Sequence, residues 1–390
     1  MKQMNESKKQ VHKEHIKKHA LAVLYVIFLL TVCVSGMIRK DTVFSEKENR
    51  NLAKRPDCSL NKLLDQSFMR EFELYIEEQF PFREQWIDGK AYVQKVLLKN
   101  ENNSIVKGKN QYLFSKEVTD ERKLSKNEAS IREFLKRHEN AMVGIAPNSY
   151  AVLTQYRPYG MPCTDQFKEI DHFYQSIDQW EGKTLDIIGS LMKHQDEELY
   201  YHTDHHWTTQ GAYYAYTEFC RQKELTPVEL SHLSSNLVAN FYGTYYSKYN
   251  GFKGQSDEIV YYDIPIEQMI TSDGETVDRL YDKSKENEYD KYALFLYGNH
   301  GYAAITTKED DTWKENNDQK ADSILIIKDS YANCMIPFLC QHYQTIYIVD
   351  LRYYSDRVSD LIAEKQPDDI LLLNNFSFLA EDNHFYKLNQ

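Results

Sequence analysis

The sharpest break in the hydrophobic pattern is the charge-free apolar run from Ala20 to Ile38, bracketed by Lys17-Lys18 before it and Arg39-Lys40 after it. As a helix this run is long enough to cross a bilayer. Residues 39–103 follow as a polar, helical approach segment, in which Phe68, Phe72 and Tyr75 recur at helical spacing. Pro81 ends that helix, and a second is predicted from Trp86 to Leu98. From residue 104 to residue 390 short apolar runs alternate with helical stretches, the pattern of a doubly wound or three-layer α/β domain. Predicted strands are Ala141 to Ile145, Thr184 to Ile188, Ile324 to Ile327, Thr345 to Val349 and Asp369 to Leu373. Four of these lead into polar tips: Pro147-Asn148-Ser149, Lys328-Asp329-Ser330, Asp350-Leu351-Arg352 and Asn374-Asn375. Ligands of open α/β sheets bind beyond the carboxyl ends of the strands, so a site is expected at those tips. The stretch 225–320 is Tyr-rich and less periodic, and reads as an insertion or lid.

Charge refines this picture. The tail 1–19 carries Lys2, Lys8, Lys9, Lys13, Lys17 and Lys18, which keeps it cytoplasmic by the positive-inside rule and sends the chain beyond the 20–38 span outside. The expected arrangement is a transmembrane signal anchor with an exported catalytic region. A cleaved signal peptide, with Val34-Ser35-Gly36 as its small-residue site, is the competing reading, although the apolar run is longer than a signal core needs. A formal charge of -12 argues against nucleic acid as a partner, because phosphate-backbone binding needs clustered Lys and Arg. Of six cysteines, Cys33 lies in the span; the other five are an odd, widely spaced set without zinc-ligand or disulfide-framework spacing.

The chemistry concentrates in Tyr201-His202-Thr203-Asp204-His205-His206-Trp207. Asp204 and His206, two apart, place a base beside a group that can orient it, and Ser330, just past a buried-type strand, supplies a nucleophile. The bland readings stand beside these. Ser330 alone fits a helix cap; the His-rich loop fits a solvated turn before a helix starting at Thr208 or Thr209; and His202, Asp204, His205 and His206 form a third, metal-binding option. Adjacent histidines rarely address one ion, so no metal is expected. Gly298-Asn299-His300-Gly301 offers the Asn299 amide to an oxyanion or is an ordinary glycine turn. Tyr331, next to Ser330, is a further candidate substrate contact.

The Asp204-His205-His206-Trp207 string resembles the signature of the DHHW proteins, which are similar to the SGNH-hydrolase-like alginate O-acetylation proteins. Glu48-Asn49-Arg50-Asn51-Leu52-Ala53, Gln79-Phe80-Pro81-Phe82-Arg83, Gly108-Lys109-Asn110-Gln111-Tyr112-Leu113-Phe114 and Gly298-Asn299-His300 also resemble family landmarks. The resemblance implies a circularly permuted SGNH-like three-layer fold, because the order Asp, His, Ser departs from the serine-first order of ordinary SGNH hydrolases. It implies a triad of Asp204, His206 and Ser330, with Arg352 and Asn299 assisting substrate or its developing charge. It further implies a cofactor-independent O-acetyltransferase acting on a cell-surface or extracellular polysaccharide, with a membrane-bound O-acyltransferase as partner. Acetylester hydrolysis by the same triad, or a noncatalytic scaffold binding polysaccharide or acyltransferase, are the alternatives.

Overall fold

The computed structural model describes residues 2–45, 50–177, 183–251, 254–308 and 322–390. Glu48 and Asn49 of the first landmark, and residues 252–253 and 309–321 of the Tyr-rich stretch, lie outside the described residues. The chain divides into two compact units, residues 1–96 and 97–390.

The first unit opens with a helix, Lys2–Ile38. Its window His19–Gly36 has a mean hydropathy of 2.2 and is the one helix, among the described residues, long and apolar enough to cross a membrane. Leu21, Leu24 and Phe28 are exposed along it. Helices Ser67–Glu78 and Arg83–Val96 flank the Gln79-Phe80-Pro81 landmark, where proline disfavours helical backbone at the preceding residue. Gln79 explains its own place there. Its amide exchanges bonds with Thr42 N and O (both 2.9 Å) and also reaches Ala53 O (3.0 Å), tying together two segments that form no long element of their own.

The second unit is built on an eight-stranded sheet: β1 (Ala141–Ala146), β2 (Thr184–Leu185), β3 (Ile266–Thr271), β4 (Thr276–Val277), β5 (Tyr302–Thr307), β6 (Ser323–Lys328), β7 (Thr345–Val349) and β8 (Asp369–Asn375). The spatial order is β4-β3-β5-β7-β6-β8-β1-β2. Strands β7, β6, β8, β1 and β2 pair in parallel, and β5, β3 and β4 extend the sheet antiparallel. Counted from β6, the parallel half reads 2-1-3-4-5, a doubly wound order whose chain start is displaced to lie between the third and fourth strands.

Continuous apolar runs produce these central strands because both faces are covered. Ile324 and Ile326 of β6 enter one core cluster and Leu325 and Ile327 the other. Helices Glu121–Arg137, Gln166–Gln175 and Val358–Lys365 pack on the second face, while Ile187–Met192 and Thr209–Gln222 pack on the first. The result is a three-layer α/β arrangement. Thr184 to Ile188 remains a strand for only two residues, because Asp186 accepts from Gly189 N (2.8 Å) and starts a helix at Ile187.

The Tyr-rich stretch contributes β3, β4 and β5, and a separate hairpin pairing Ser235–Phe241 with Asp257–Tyr262. A smaller sheet, Glu101–Asn102, Ile105–Lys107 and Leu113–Ser115, carries the Gly108–Phe114 landmark. Its turn takes Asn110 (φ 48°) and Gln111 (φ 65°) left-handed, and Leu113 N then donates to His202 O (2.8 Å). Gly108 leaves no room for a side chain: a Cβ there would stand 2.4 Å from the Phe114 ring and 2.5 Å from Tyr156 O. Gly108→Ala should therefore lower the thermal midpoint of unfolding by several degrees, an overpacking cost of about 1–3 kcal/mol, measured by circular dichroism. An unchanged midpoint would contradict the close approach.

Candidate functional site

The His-rich segment is a tight loop closed at its base by the Tyr200–Trp207 bridge, with Thr208 N donating to Leu199 O (2.9 Å). Thr208 Oγ1 then accepts from Gly211 N (3.1 Å) and caps the helix Thr209–Gln222. Loop carbonyls are satisfied from four directions: His202 O by Leu113 N, Thr203 O by Tyr246 N, His206 O by Tyr201 N, and His205 O by the Tyr331 hydroxyl. Buried Asp257 supplies the acceptors the loop lacks. Its carboxylate receives His202 N (2.8 Å), His202 Nδ1 (3.0 Å), Thr203 N (2.8 Å) and Thr203 Oγ1 (2.5 Å), and Tyr112 stacks on the His202 ring at 3.9 Å.

This scaffold fixes a three-residue relay. Asp204 Oδ1 lies 2.6 Å from His206 Nδ1, and His206 Nε2 lies 2.8 Å from Ser330 Oγ. The Asp204 carboxylate also accepts from His206 N (3.0 Å), Thr244 N (2.7 Å) and Thr244 Oγ1 (3.2 Å). Gly243 is required by that approach, since a Cβ on it would stand 2.1 Å from Asp204 Oδ2. Tyr292 stacks on the imidazole at 3.8 Å with planes 10° apart, and its hydroxyl donates to Ser330 O (3.1 Å), so one side chain braces both partners.

Ser330 does not act as a helix cap. Asp329 takes that place, accepting from Tyr331 N (2.9 Å) at the start of the short 3-10 turn Ser330–Cys334, and its other oxygen accepts from Asn375 N (2.8 Å). The serine hydroxyl is thereby left to His206. The polar strand tips form one network: Asn148 Nδ2 donates to Asn375 Oδ1 (3.3 Å), Asn375 binds Asp329, and Lys328 Nζ lies 3.8 Å from Asp350.

Lys328 is buried, and its ammonium donates to Asn299 Oδ1 (2.9 Å) and Asn333 Oδ1 (2.7 Å). Asn333 Nδ2 also donates to Asn299 Oδ1 (3.2 Å), so the Asn299 carbonyl is committed inward and its NH2 is the end turned away from Lys328. Arg352 Nε and Nη2 grip Asp350 at 2.9 and 2.5 Å, and its guanidinium lies between the Tyr353 and Phe378 rings at 5.2 and 5.1 Å. Tyr331 is buried; its phenol holds the His205 carbonyl and its N–H holds Asp329.

Burial opposes charge on both Asp204 and His206, and the balance differs between them. In Asp204, burial is outweighed by the charges and hydrogen bonds of His205 and His206, which hold the carboxylate well below the usual range. In His206, burial, reinforced by the charge of His205, outweighs the pull of Asp204 and pushes the imidazole down to about 4. At neutral pH the pair is carboxylate and neutral imidazole, with Nδ1–H donated to Asp204 and Nε2 accepting from Ser330. Burial likewise pushes Lys328 down to about 8 against the attraction of Asp350.

Asp204, His205 and His206 are also the potential metal-ligand cluster among the described residues, with donor atoms within 4.8 Å of one another. Their hydrogen bonding accounts for those atoms without an ion: both Nδ1 atoms address Asp204, at 2.6 and 3.4 Å, and His205 Nδ1 also meets Thr244 Oγ1 at 2.7 Å.

Sequence reasoning did not single out Gly243, Thr244, Asp257, Tyr292 or Asn333. All but Asn333 come from the aperiodic Tyr-rich stretch, where the one local signal is a glycine followed by a threonine at the head of a short helix, Thr244–Tyr249. Gly243→Ala should displace Asp204, abolish the low-field Nδ1–H proton resonance of His206 and lower the thermal midpoint. Trp207→Phe, which removes the indole donor to Tyr331 O (2.8 Å) and leaves that buried carbonyl only the weak Cys334 thiol donor (3.6 Å), should cost about 1–3 kcal/mol, read from chemical denaturation.

Comparison with solved structures finds the same fold in a DHHW family protein from Eubacterium siraeum, at a TM-score of 0.60 and 22% identity over 74% of this chain and 96% of that one. Bacillus cereus PatB1 with a sulfonyl adduct aligns at a TM-score of 0.56 and 16% identity, covering 73% of this chain and 99% of that one. PatB1 in a second structure aligns at 0.56 and 18% identity, covering 72% and 98%. Comparison with curated proteins finds no matching relative. The DHHW protein profile matches residues 104–349, a segment that includes the loop, the Tyr-rich stretch and the serine turn, and the chain belongs to the DHHW family.

Proposed function

We propose that this protein is an exported, membrane-anchored O-acetyltransferase that modifies a cell-surface or extracellular polysaccharide through an acetyl-enzyme. The observation that carries the proposal is the unbroken relay from Asp204 through His206 to the hydroxyl of Ser330, at 2.6 and 2.8 Å. Such a relay makes a serine nucleophilic. The doubly wound strand order counted from β6 supports a circularly permuted SGNH-like fold, with the serine after the first strand of the unpermuted order.

In this reading Ser330 Oγ attacks the acetyl carbonyl carbon of the donor while His206 Nε2 takes its proton. Asp204 holds the imidazole tautomer and stabilises the imidazolium. The tetrahedral oxygen draws on the Asn299 NH2 and the positive charge of Arg352. The imidazolium returns its proton to the leaving group, leaving acetyl-Ser330. A polysaccharide hydroxyl then attacks, passing its proton to His206. Tyr331 positions the two segments rather than touching the substrate. The apolar helix supports anchoring in the cell membrane with the catalytic unit outside, where a membrane-bound O-acyltransferase supplies the acetyl group. With water as the final acceptor the same residues form an acetylesterase, which differs only in the second half-reaction.

Incubating the full chain in detergent with p-nitrophenyl acetate should release nitrophenol and yield an acetyl adduct by intact mass. Ser330→Ala and His206→Ala should each lower the rate by on the order of 10^3-fold or more, with the adduct lost in the serine variant. Equal activity in all three proteins would refute the proposal and favour a binding scaffold. The rate should also stay level from neutral pH down to about 5 and fall as pH drops through about 4, because protonation of His206 removes the base. An acid limb at the ordinary imidazole value would mean that burial does not hold the His206 imidazole down in the working enzyme.

A further inference from the structure

A cleft opens at the rim where β7 leaves the sheet, on the face covered by the helix Val358–Lys365, whereas Trp207, Tyr292 and Tyr331 around the relay pack on the other face. It has a volume of about 330 Å3 and is lined by Ser272, Tyr302, Tyr353, Tyr354, Asp356 and Glu364, among others. Its relation to Ser330 follows from strand register. Ile327 of β6 pairs with Val349 of β7 in parallel, so Ser330 and Arg352 each leave the sheet three residues beyond a matched pair, on strands about 4.8 Å apart. Arg352 joins the two places. Its guanidinium lies 5.2 Å from the Tyr353 ring that lines the cleft, and its charge is felt by His206 and Asp329.

The cleft is held in place from several sides. Asp350 N donates to Gly301 O (3.2 Å), and Tyr353 N and Tyr354 N both donate to Asp350 O (3.0 and 2.9 Å). His300 Nδ1 meets Asp273 Oδ2 at 2.7 Å, fixing the loop that carries Asn299. Gly301 admits no side chain, since a Cβ would stand 2.6 Å from Tyr353 O. A preformed concavity with aromatic faces and a few hydrogen-bonding groups is a ligand site in form. Tyr353 is 58% exposed, so its ring is available as a platform. Tyrosine faces accept the C–H face of a pyranose while serine and carboxylate oxygens accept its hydroxyls. Charge narrows the ligand further. The carboxylates Asp356 and Glu364 outnumber the one lining ammonium, Lys365, which Glu364 holds at 2.8 Å. A polyanionic glycan would meet repulsion there.

We propose that this cleft is the acceptor subsite, binding a neutral, hydroxyl-rich glycan with a sugar ring on Tyr353 and the reacting hydroxyl carried past Arg352 to Ser330. This rests on the acetyl-transfer reading above. In the step it serves, the glycan oxygen bonds to the acetyl carbon, the Ser330 Oγ–carbon bond breaks, and the proton passes from the glycan hydroxyl through His206 Nε2 to Ser330 Oγ.

The test uses the full chain in detergent with p-nitrophenyl acetate as donor and cellopentaose, xylopentaose, chitopentaose or trigalacturonic acid as acceptor, products being read by mass spectrometry. At least one neutral pentasaccharide should be acetylated in preference to trigalacturonic acid. Tyr353→Ala should lower the ratio of acetyl delivered to sugar over acetyl delivered to water about tenfold, corresponding to about 1.4 kcal/mol of lost binding. Ser272→Trp, which places a bulky ring at the cleft wall, should lower the same ratio, with thermal midpoints reporting that both variants fold. Acetyl-Ser330 forming while no neutral sugar is acetylated, a preference for trigalacturonic acid, or an unchanged ratio in both variants would overturn the subsite. Failure to form acetyl-Ser330 at all would instead overturn the acetyl-transfer reading beneath it.

Discussion

The interaction on which the site depends is the solvation of one buried carboxylate. Asp204 has lost its water, and an isolated ionised carboxylate in that position would take up a proton. It is held ionised by His206 Nδ1, His206 N, Thr244 N and Thr244 Oγ1, with His205 close by. Two of those donors come from a short helix forty residues downstream, and they reach the carboxylate only because Gly243 has no side chain. The Tyr-rich stretch is therefore part of the site's electrostatics as well as its covering. It supplies Thr244 to Asp204, Asp257 to the loop and Tyr292 to the imidazole face.

The second requirement is that a loop and a strand tip far apart in sequence meet at hydrogen-bond distance. Adjacent aromatic residues accomplish this by exchanging bonds. Trp207, next to His206, donates its indole N–H to Tyr331 O, and Tyr331, next to Ser330, donates its hydroxyl to His205 O. The same two rings pack at 5.5 Å within the core. His206 and Ser330 thus each sit one residue from a buried anchor whose partner lies on the opposite segment. This gives the tryptophan of the Asp-His-His-Trp string a physical task separate from the chemistry, and Tyr331 carries the same task from the opposite segment.

Legibility in the sequence follows the range of the forces involved. Strands β1, β6, β7 and β8 are plain in the chain because burial on both faces demands continuous apolar runs, and the four polar tips mark where those runs end. Asp204 and His206 are legible because two-residue spacing is a local property, and Ser330 because it follows β6. Gly243, Asp257 and Tyr292 are not, since each acts through contacts made only after folding and none lies on a periodic element. The cap at Ser330 was ambiguous for a related reason. Asp329 and Ser330 are both good caps, and the choice is made by Asn375 N, which arrives from β8 to take the second oxygen of Asp329.

The buried charges behind the serine follow the same logic in a different form. Lys328 and Asp350 are almost fully buried at the ends of adjacent strands, an arrangement that desolvation opposes unless every donor and acceptor is used. Arg352 uses both Asp350 oxygens, and Lys328 turns instead to Asn299 and Asn333. The consequence is directional. With its oxygen drawn inward by an ammonium, the Asn299 amide can present only N–H groups elsewhere, and an amide polarised by a cation is a better donor than one in water. A lysine that never meets solvent thereby fixes which end of the Asn299 amide faces away from it, which a substitution preserving size but not charge at Lys328 would lose.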